Sequence, residues 1–298
     1  MRSFTSMRRR PWLAVAGVVA ALSVAVAAAY AGNVAPSLSF TPNSETQVTN
    51  IDILRQQLKN YYGAPTARTG STGTWADPLN LESNYANEAR SVAKDGGNWL
   101  AARSNTPHKA IVLDVDDTTL TTWNYELFSN WDFNPATNGT FVTEERFPAT
   151  PGMVEMVNQA ASMGYAVFFL TGRPQSQFDA TLGNLTASDT IGVNAGYPTP
   201  TTIDVDGNLP GGPGPGLFTK PPIGSYPQYL DQSEFCGPSI HATPPVSCPT
   251  IQYKSGVRAY IESQGYEIVG NFGDQFSDLI GGFPDKTFKL PNPNYYLP

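Results

Sequence analysis

Apolar and polar positions along this chain fall into blocks whose period switches between helical and extended. Ile51, Leu54, Leu58 and Tyr61 recur at three- and four-residue intervals, which predicts a helix over Ser44–Tyr62 that opens on a Ser44/Gln47 capping box. Residues 63–80, rich in Gly, Thr and Pro, read as a loop, and a second helix is predicted over Leu81–Arg103. Ala110–Leu113 is a short, partly β-branched apolar run and reads as a buried strand. An aromatic, polar stretch follows over Thr121–Phe147, carrying Trp123, Tyr125, Phe128, Trp131 and Phe133. Pro151 suits the first turn of a helix that stops at Gly164, and Tyr165–Leu170 reads as a second buried strand. Gln175–Leu185 is predicted helical, whereas residues 190–250 show no period. Helical spacing resumes over Tyr253–Gln264, Tyr266–Asn271 reads as a third buried strand, and Phe288–Leu290 as a short last one. Strands alternating with helices predict an α/β fold with a mostly parallel sheet.

The apolar strands end in chemistry. Ala110–Leu113 runs into Asp114, Asp116, Asp117, Thr118 and Thr119; Tyr165–Leu170 runs into Thr171-Gly172-Arg173; Tyr266–Asn271 runs toward Gly273-Asp274 and Asp278. Open parallel sheets place ligands at the carboxyl ends of their strands, so these groups are expected to share one site. Residues two apart on a strand point the same way, so Asp114 and Asp116 can face one centre while Val115 faces the core. Two carboxylates converging there repel unless a cation lies between them or one is protonated. That implies a hard, oxygen-seeking metal, an acid/base pair, or both. Taken alone, the acidic run also fits a solvated turn.

Composition narrows the partners. Arg2, Arg8, Arg9 and Arg10 precede an uncharged run to Tyr30, and Ala29-Tyr30-Ala31 has a small-x-small cleavage pattern. Residues 1–31 thus read as a secretory signal peptide, with an uncleaved membrane anchor as the alternative, and the chain as secreted. The remaining 14 basic residues face 25 acidic ones, a net of −11, which disfavours nucleic acid and, beyond that N-terminal segment, anionic membranes. The two cysteines, Cys236 and Cys248, are expected to form a disulfide in an exported chain. His241 between them would complete only three metal ligands, without regular spacing. Gly211–Gly216 lacks the G-x-G-x-x-G spacing of a dinucleotide site and reads as a loop.

Four motifs in order carry a resemblance: Asp114-Val-Asp116-Asp-Thr118, Thr171 closing a hydrophobic strand, Lys254 opening a helix, and Gly273-Asp274-Gln-Phe-Ser-Asp278. With them, residues 45–298 resemble the haloacid dehalogenase superfamily, and in particular its exported acid phosphatases of subfamily IIIB, plant vegetative storage proteins included. The resemblance implies a Rossmann-like, mostly parallel sheet flanked by helices, with small cap-type insertions at about 121–147 and 190–250. It implies a small phosphomonoester as substrate, with Asp114 as nucleophile forming an aspartyl-phosphate and Asp116 as the acid and then the base. It implies Mg²⁺ held by Asp114, the Asp116 backbone carbonyl and Asp274, with Asp278 ordering the metal shell or Lys254. Lys254 would hold the nucleophile, and Thr171, Gly172 and Arg173 the phosphate. An acidic residue at Asp116 favours hydrolysis, because members that preserve their aspartyl-phosphate carry a non-acidic residue there.

Several residues receive plainer readings. Arg173 fits a structural ion pair as well as a phosphate contact, Thr118 supports the acidic loop, and Asp117 reads as a solvated or helix-capping carboxylate. The aromatics at 123–133 read as packing, with Trp123 and Tyr125 the two to test for leaving-group contact. Two alternatives stay open: a non-catalytic exported binding or storage protein on the same fold, and phosphoryl transfer to an alcohol or nucleoside acceptor. Oligomeric state is not legible in the sequence.

Overall fold

In the computed structural model five parallel strands make one sheet: β1 (Lys109–Leu113), β2 (Ala166–Pro174), β5 (Leu217–Lys220), β6 (Glu267–Gly273) and β7 (Thr287–Lys289). Their order is β5-β2-β1-β6-β7. A separate two-residue hairpin pairs β3 (Thr202–Ile203) with β4 (Gly214–Pro215). The structure describes residues 41–63, 79–187, 191–204 and 213–297, all within one compact unit, Ser39–Pro298. The signal-peptide reading of residues 1–31 and most of the loop at 63–80 lie outside the described residues. Among the described residues no helix is long and apolar enough to cross a membrane.

Side-chain alternation on β1 divides the core in two. Ile111 and Leu113 join Val115, Phe272 and residues of α2 (Asn84–Ala101) and α5 (Met153–Ser162) on one face; Ala110 and Val112 join residues of α7 (Thr250–Ser263) on the other. With both faces covered, the strand reads as a continuous apolar run. Gly96 of α2 lies where a Cβ would come within 2.5 Å of the Phe272 ring, so a glycine lets the helix approach β6 closely.

The predicted elements form, with three corrections. The first helix, α1, runs Ile51–Tyr62 behind a separate 3₁₀ turn at Glu45–Gln47. Ser44 makes no capping bond; Asn50, just before the helix, accepts from the Asp52 and Ile53 amides instead. β5 was not legible in the aperiodic 190–250 segment, because four residues after a Gly–Pro run carry no readable period. It becomes a strand by pairing with β2 at Phe169, Leu170 and Pro174. The 121–147 insert contains two helices, α3 (Trp123–Ser129) and α4 (Pro135–Thr143), and much of its aromatic content is core. Helix α6 (Phe178–Thr186) follows a short 3₁₀ turn after β2. Cys236 and Cys248 form the expected disulfide, and His241 Nε2 sits 2.7 Å from Asp231 rather than in a metal set.

Candidate active site

Strand parity aims the first acids. Asp114 continues the series Ala110, Val112 toward α7, and α7 carries Lys254 in its second turn. Lys254 Nζ lies 2.5 Å from Asp114 Oδ1 and 2.5 Å from Asp278 Oδ1, all three side chains being buried. Among the described residues Asp114 Oδ2 accepts no hydrogen bond. The lysine therefore pins one oxygen of Asp114 and leaves the other without a donor among the described residues. Burial, followed by the charge of Asp278, pushes the Asp114 carboxyl well above its usual range, with Lys254 pulling the other way. Burial lowers the affinity of the Lys254 amine for its proton, but Asp114 and Asp278 outweigh it and hold the ammonium charged.

The loop after β1 is tightly tied. The Asp114 amide donates to Phe272 O at 2.9 Å, joining the strand end to β6, and Thr119 Oγ1 donates to Asp114 O at 3.0 Å. Asp117 adopts φ 51°, a left-handed conformation that Asp tolerates better than bulky residues. Its carboxylate is fully buried and accepts from the Thr122 amide and hydroxyl at the start of α3. Asp117 is thus tied to the residue that precedes α3, and the solvated reading of it fails. Burial raises its pKa to about 7 despite these bonds.

Asp274 follows β6, the sheet neighbour of β1. Thr118 Oγ1 donates to Asp274 Oδ1 at 3.2 Å, while Gln275 Nε2 and Asn292 Nδ2 donate to Oδ2 at 2.6 and 2.7 Å. Burial and then Asp278 raise the Asp274 pKa to about 8. Gly273 is required here, since a Cβ would meet Asp278 Cβ at 2.3 Å. Asp278 itself is held through Oδ2 by the Gln275 amide at 2.9 Å and through Oδ1 by Lys254, the partner named for it. Arg258, fully buried on α7, donates to the carbonyls of Asp278, Ile280 and Gly282 and fixes this turn.

Carboxylate oxygens of Asp114, Asp274 and Asp278 lie within 4.8 Å of one another. An all-oxygen set suits a hard divalent cation, and three buried acids against one lysine leave negative charge for it to offset. The Asp116 carboxylate is not in this set. Half-buried, it takes a two-pronged bond from Arg173, with Nη2 at 2.7 Å and Nε at 3.0 Å, and Arg173 Nη1 also donates to Thr181. The ion pair read for Arg173 is therefore made, with Asp116 as its partner. Thr171 Oγ1 accepts from the Arg173 amide at 3.1 Å, which leaves its own proton free to donate, and the exposed Gly172 has open space where a Cβ would point. Trp123 and Tyr125 are buried; Trp123 stacks on Tyr62 at 4.1 Å, and both are packing residues.

Sequence reasoning missed Gln275 and Asn292. Asn292 lies in the Pro291-Asn-Pro-Asn294 tail, whose prolines limit its conformations, and Asn294 donates to the Tyr62 hydroxyl at 2.9 Å. An asparagine fixed between prolines was the available signal.

The family described as HAD superfamily, subfamily IIIB (Acid phosphatase), matches residues 37–197 and 246–298. The chain belongs to this family. It is a phosphomonoesterase, a hydrolase of the haloacid dehalogenase-like acid phosphatases, and phosphatases of this superfamily generally use a divalent metal. The stem 28 kDa glycoprotein of Glycine max is 27% identical over 218 residues, covering 72% of this chain and 70% of that protein. Acid phosphatase 1 of Solanum lycopersicum is 27% identical over 196 residues, covering 62% of this chain and 58% of that protein. The solved structure of the Class C acid phosphatase from Bacillus anthracis is 21% identical with a TM-score of 0.47, covering 71% of this chain and 80% of that one.

Proposed function

We propose that this protein is an exported, Mg²⁺-dependent acid phosphatase that hydrolyses small phosphomonoesters through an aspartyl-phosphate on Asp114. The observation that carries the reading is the shared lysine: Lys254 lies 2.5 Å from both Asp114 and Asp278, and Asp274 brings a third buried carboxylate to the same place. A carboxylate is a weak nucleophile toward an anionic phosphate, so neighbouring positive charge must offset the repulsion before approach. Asp114 and Asp274 would hold the metal together with the Asp116 backbone carbonyl, and Asp278 supports that set through Lys254. Bound Mg²⁺ would supply electrostatic neutralisation of phosphate and nucleophile.

This chain's own groups do the rest. Asp114 Oδ2 attacks phosphorus, and Lys254 keeps Oδ1 in place. The Thr171 hydroxyl and the Gly172 amide donate to phosphate oxygens. Asp116 passes a proton to the leaving oxygen and takes one from the attacking water. Arg173 orients Asp116 and carries positive charge beside the incoming phosphate. Export is supported by the arginine-led apolar N-terminus and by the Cys236–Cys248 disulfide.

The test is phosphate release from p-nitrophenyl phosphate with Mg²⁺, with EDTA as control, in the parent and in Asp114→Asn. Metal-dependent turnover that the variant lacks is expected. A folded variant with near-normal turnover would sink the proposal.

A further inference from the structure

A cavity of about 530 Å³ opens beside the expected phosphate-binding loop. Gly172, which has open space where a Cβ would point, is one of its lining residues, so the cavity borders the loop expected to bind phosphate. Its far wall comes from the exit of β5: Lys220, Pro221, Pro222 and Ile223, with Tyr226 beyond. Among the described residues no acidic side chain lines it. Lys220 pairs with Pro174 in the sheet register, which places its backbone about 8 Å from Gly172 by ordinary strand rise and spacing.

Lys220 is the unusual feature. It is half-buried, and among the described residues it makes no hydrogen bond or ion pair. In a chain with seven more acidic than basic residues, an ammonium left without a carboxylate at an apolar wall is available to a ligand. The volume falls in the range of small-molecule sites, and such sites combine apolar walls with a few placed polar groups. Prolines, an isoleucine and a tyrosine suit a flat apolar body, and the lysine suits an anion at its far end.

We propose that this cavity is the leaving-group subsite and that Lys220 selects phosphomonoesters whose apolar leaving group ends in a second anionic group, a carboxylate or a second phosphate. The proposal rests on the phosphatase reading above and names its substrate class. Lys220 acts on specificity and takes no part in the chemical step.

The experiment compares phenyl phosphate, 4-carboxyphenyl phosphate and the bisphosphate of hydroquinone in the full chain with Mg²⁺, for the parent, Lys220→Met and Lys220→Arg. Ratios of variant to parent remove the intrinsic differences in leaving ability. Lys220→Met is expected to lower kcat/KM about tenfold on the anionic substrates, through KM, while phenyl phosphate stays within about twofold. Lys220→Arg is expected to retain the preference. A larger loss on the carboxylate or on the bisphosphate identifies the favoured anion. Equal losses on all three substrates, or no change on any, overturn the subsite. A parent that turns over none of them overturns the phosphatase reading itself.

Discussion

Two cation–carboxylate pairs stand two residues apart at the end of β1, and they are built differently. Lys254 with Asp114 and Asp278 is buried on all sides, and one point charge is shared by two acids. Arg173 with Asp116 is a one-to-one fork, and 30% of the Asp116 side chain is exposed. A buried carboxylate without a partner is costly, so the first group ties catalysis to stability. Asp116 is partly hydrated, so it can exchange partners at lower cost than a fully buried acid. The contrast predicts that removing the shared lysine disturbs the fold and the reaction together, and that variants of the second pair disturb mainly the reaction.

The largest effect should come from Asp114→Asn, with turnover falling by at least about 10³-fold. Its melting temperature should hold or rise, because the ionised carboxyl is disfavoured by burial and by Asp278. A clear drop in Tm would break the assignment of stored repulsion to this position. Lys254→Met should also abolish turnover, and it strands two buried acids, so a loss of about 3–5 kcal/mol in urea unfolding at pH 7 is expected. That loss should shrink toward pH 4, where the acids can take protons. Arg173→Gln should lower kcat/KM by about 10²-fold, with a stability loss of about 1–2 kcal/mol. If it destabilises as much as Lys254→Met, the distinction between the pairs fails.

Two smaller effects sharpen the picture around Asp274. Asn292→Ala removes a donor to Asp274 Oδ2 and should weaken Mg²⁺ affinity by about tenfold, read by calorimetry on the unreacted protein. The metal-free protein should also lose stability as pH rises. Asp117 and Asp274 have folded pKa values of about 7 and about 8 against an ordinary 3.8, so the native state holds the extra protons. Their stabilising protonation is complete below about pH 4 and is lost as pH rises through 7 to 8. Melting in EDTA should therefore fall over that window, and added Mg²⁺ should raise Tm more at pH 8 than at pH 5.

Much of this arrangement was legible from local pattern. The β1 run ending in Asp114 and Asp116, the hydroxyl at Thr171, Lys254 on its helix and the Gly273–Asp278 turn all sit at predicted positions, because a buried parallel strand and its polar exit are written in adjacent residues. The partners that complete the site come from far along the chain. Asn292 reaches Asp274 from the C-terminal tail, and Lys220 enters on a four-residue strand that has no period of its own. Asp117 shows the same limit from the other side. Its neighbours in sequence leave a solvated and a helix-capping acid both open, and packing decides by burying it completely.

The sequence by itself determined the strand exits, their order and the kinds of side chain placed there, since strand parity and apolar periodicity act over a few residues. Only the tertiary structure decided which cation meets which acid: Lys254 between Asp114 and Asp278, Arg173 on Asp116, and Lys220 left facing a cavity. Those outcomes depend on burial and on distances between strands brought together by the sheet, and charge interactions take their strength from that surrounding medium rather than from the residues alone.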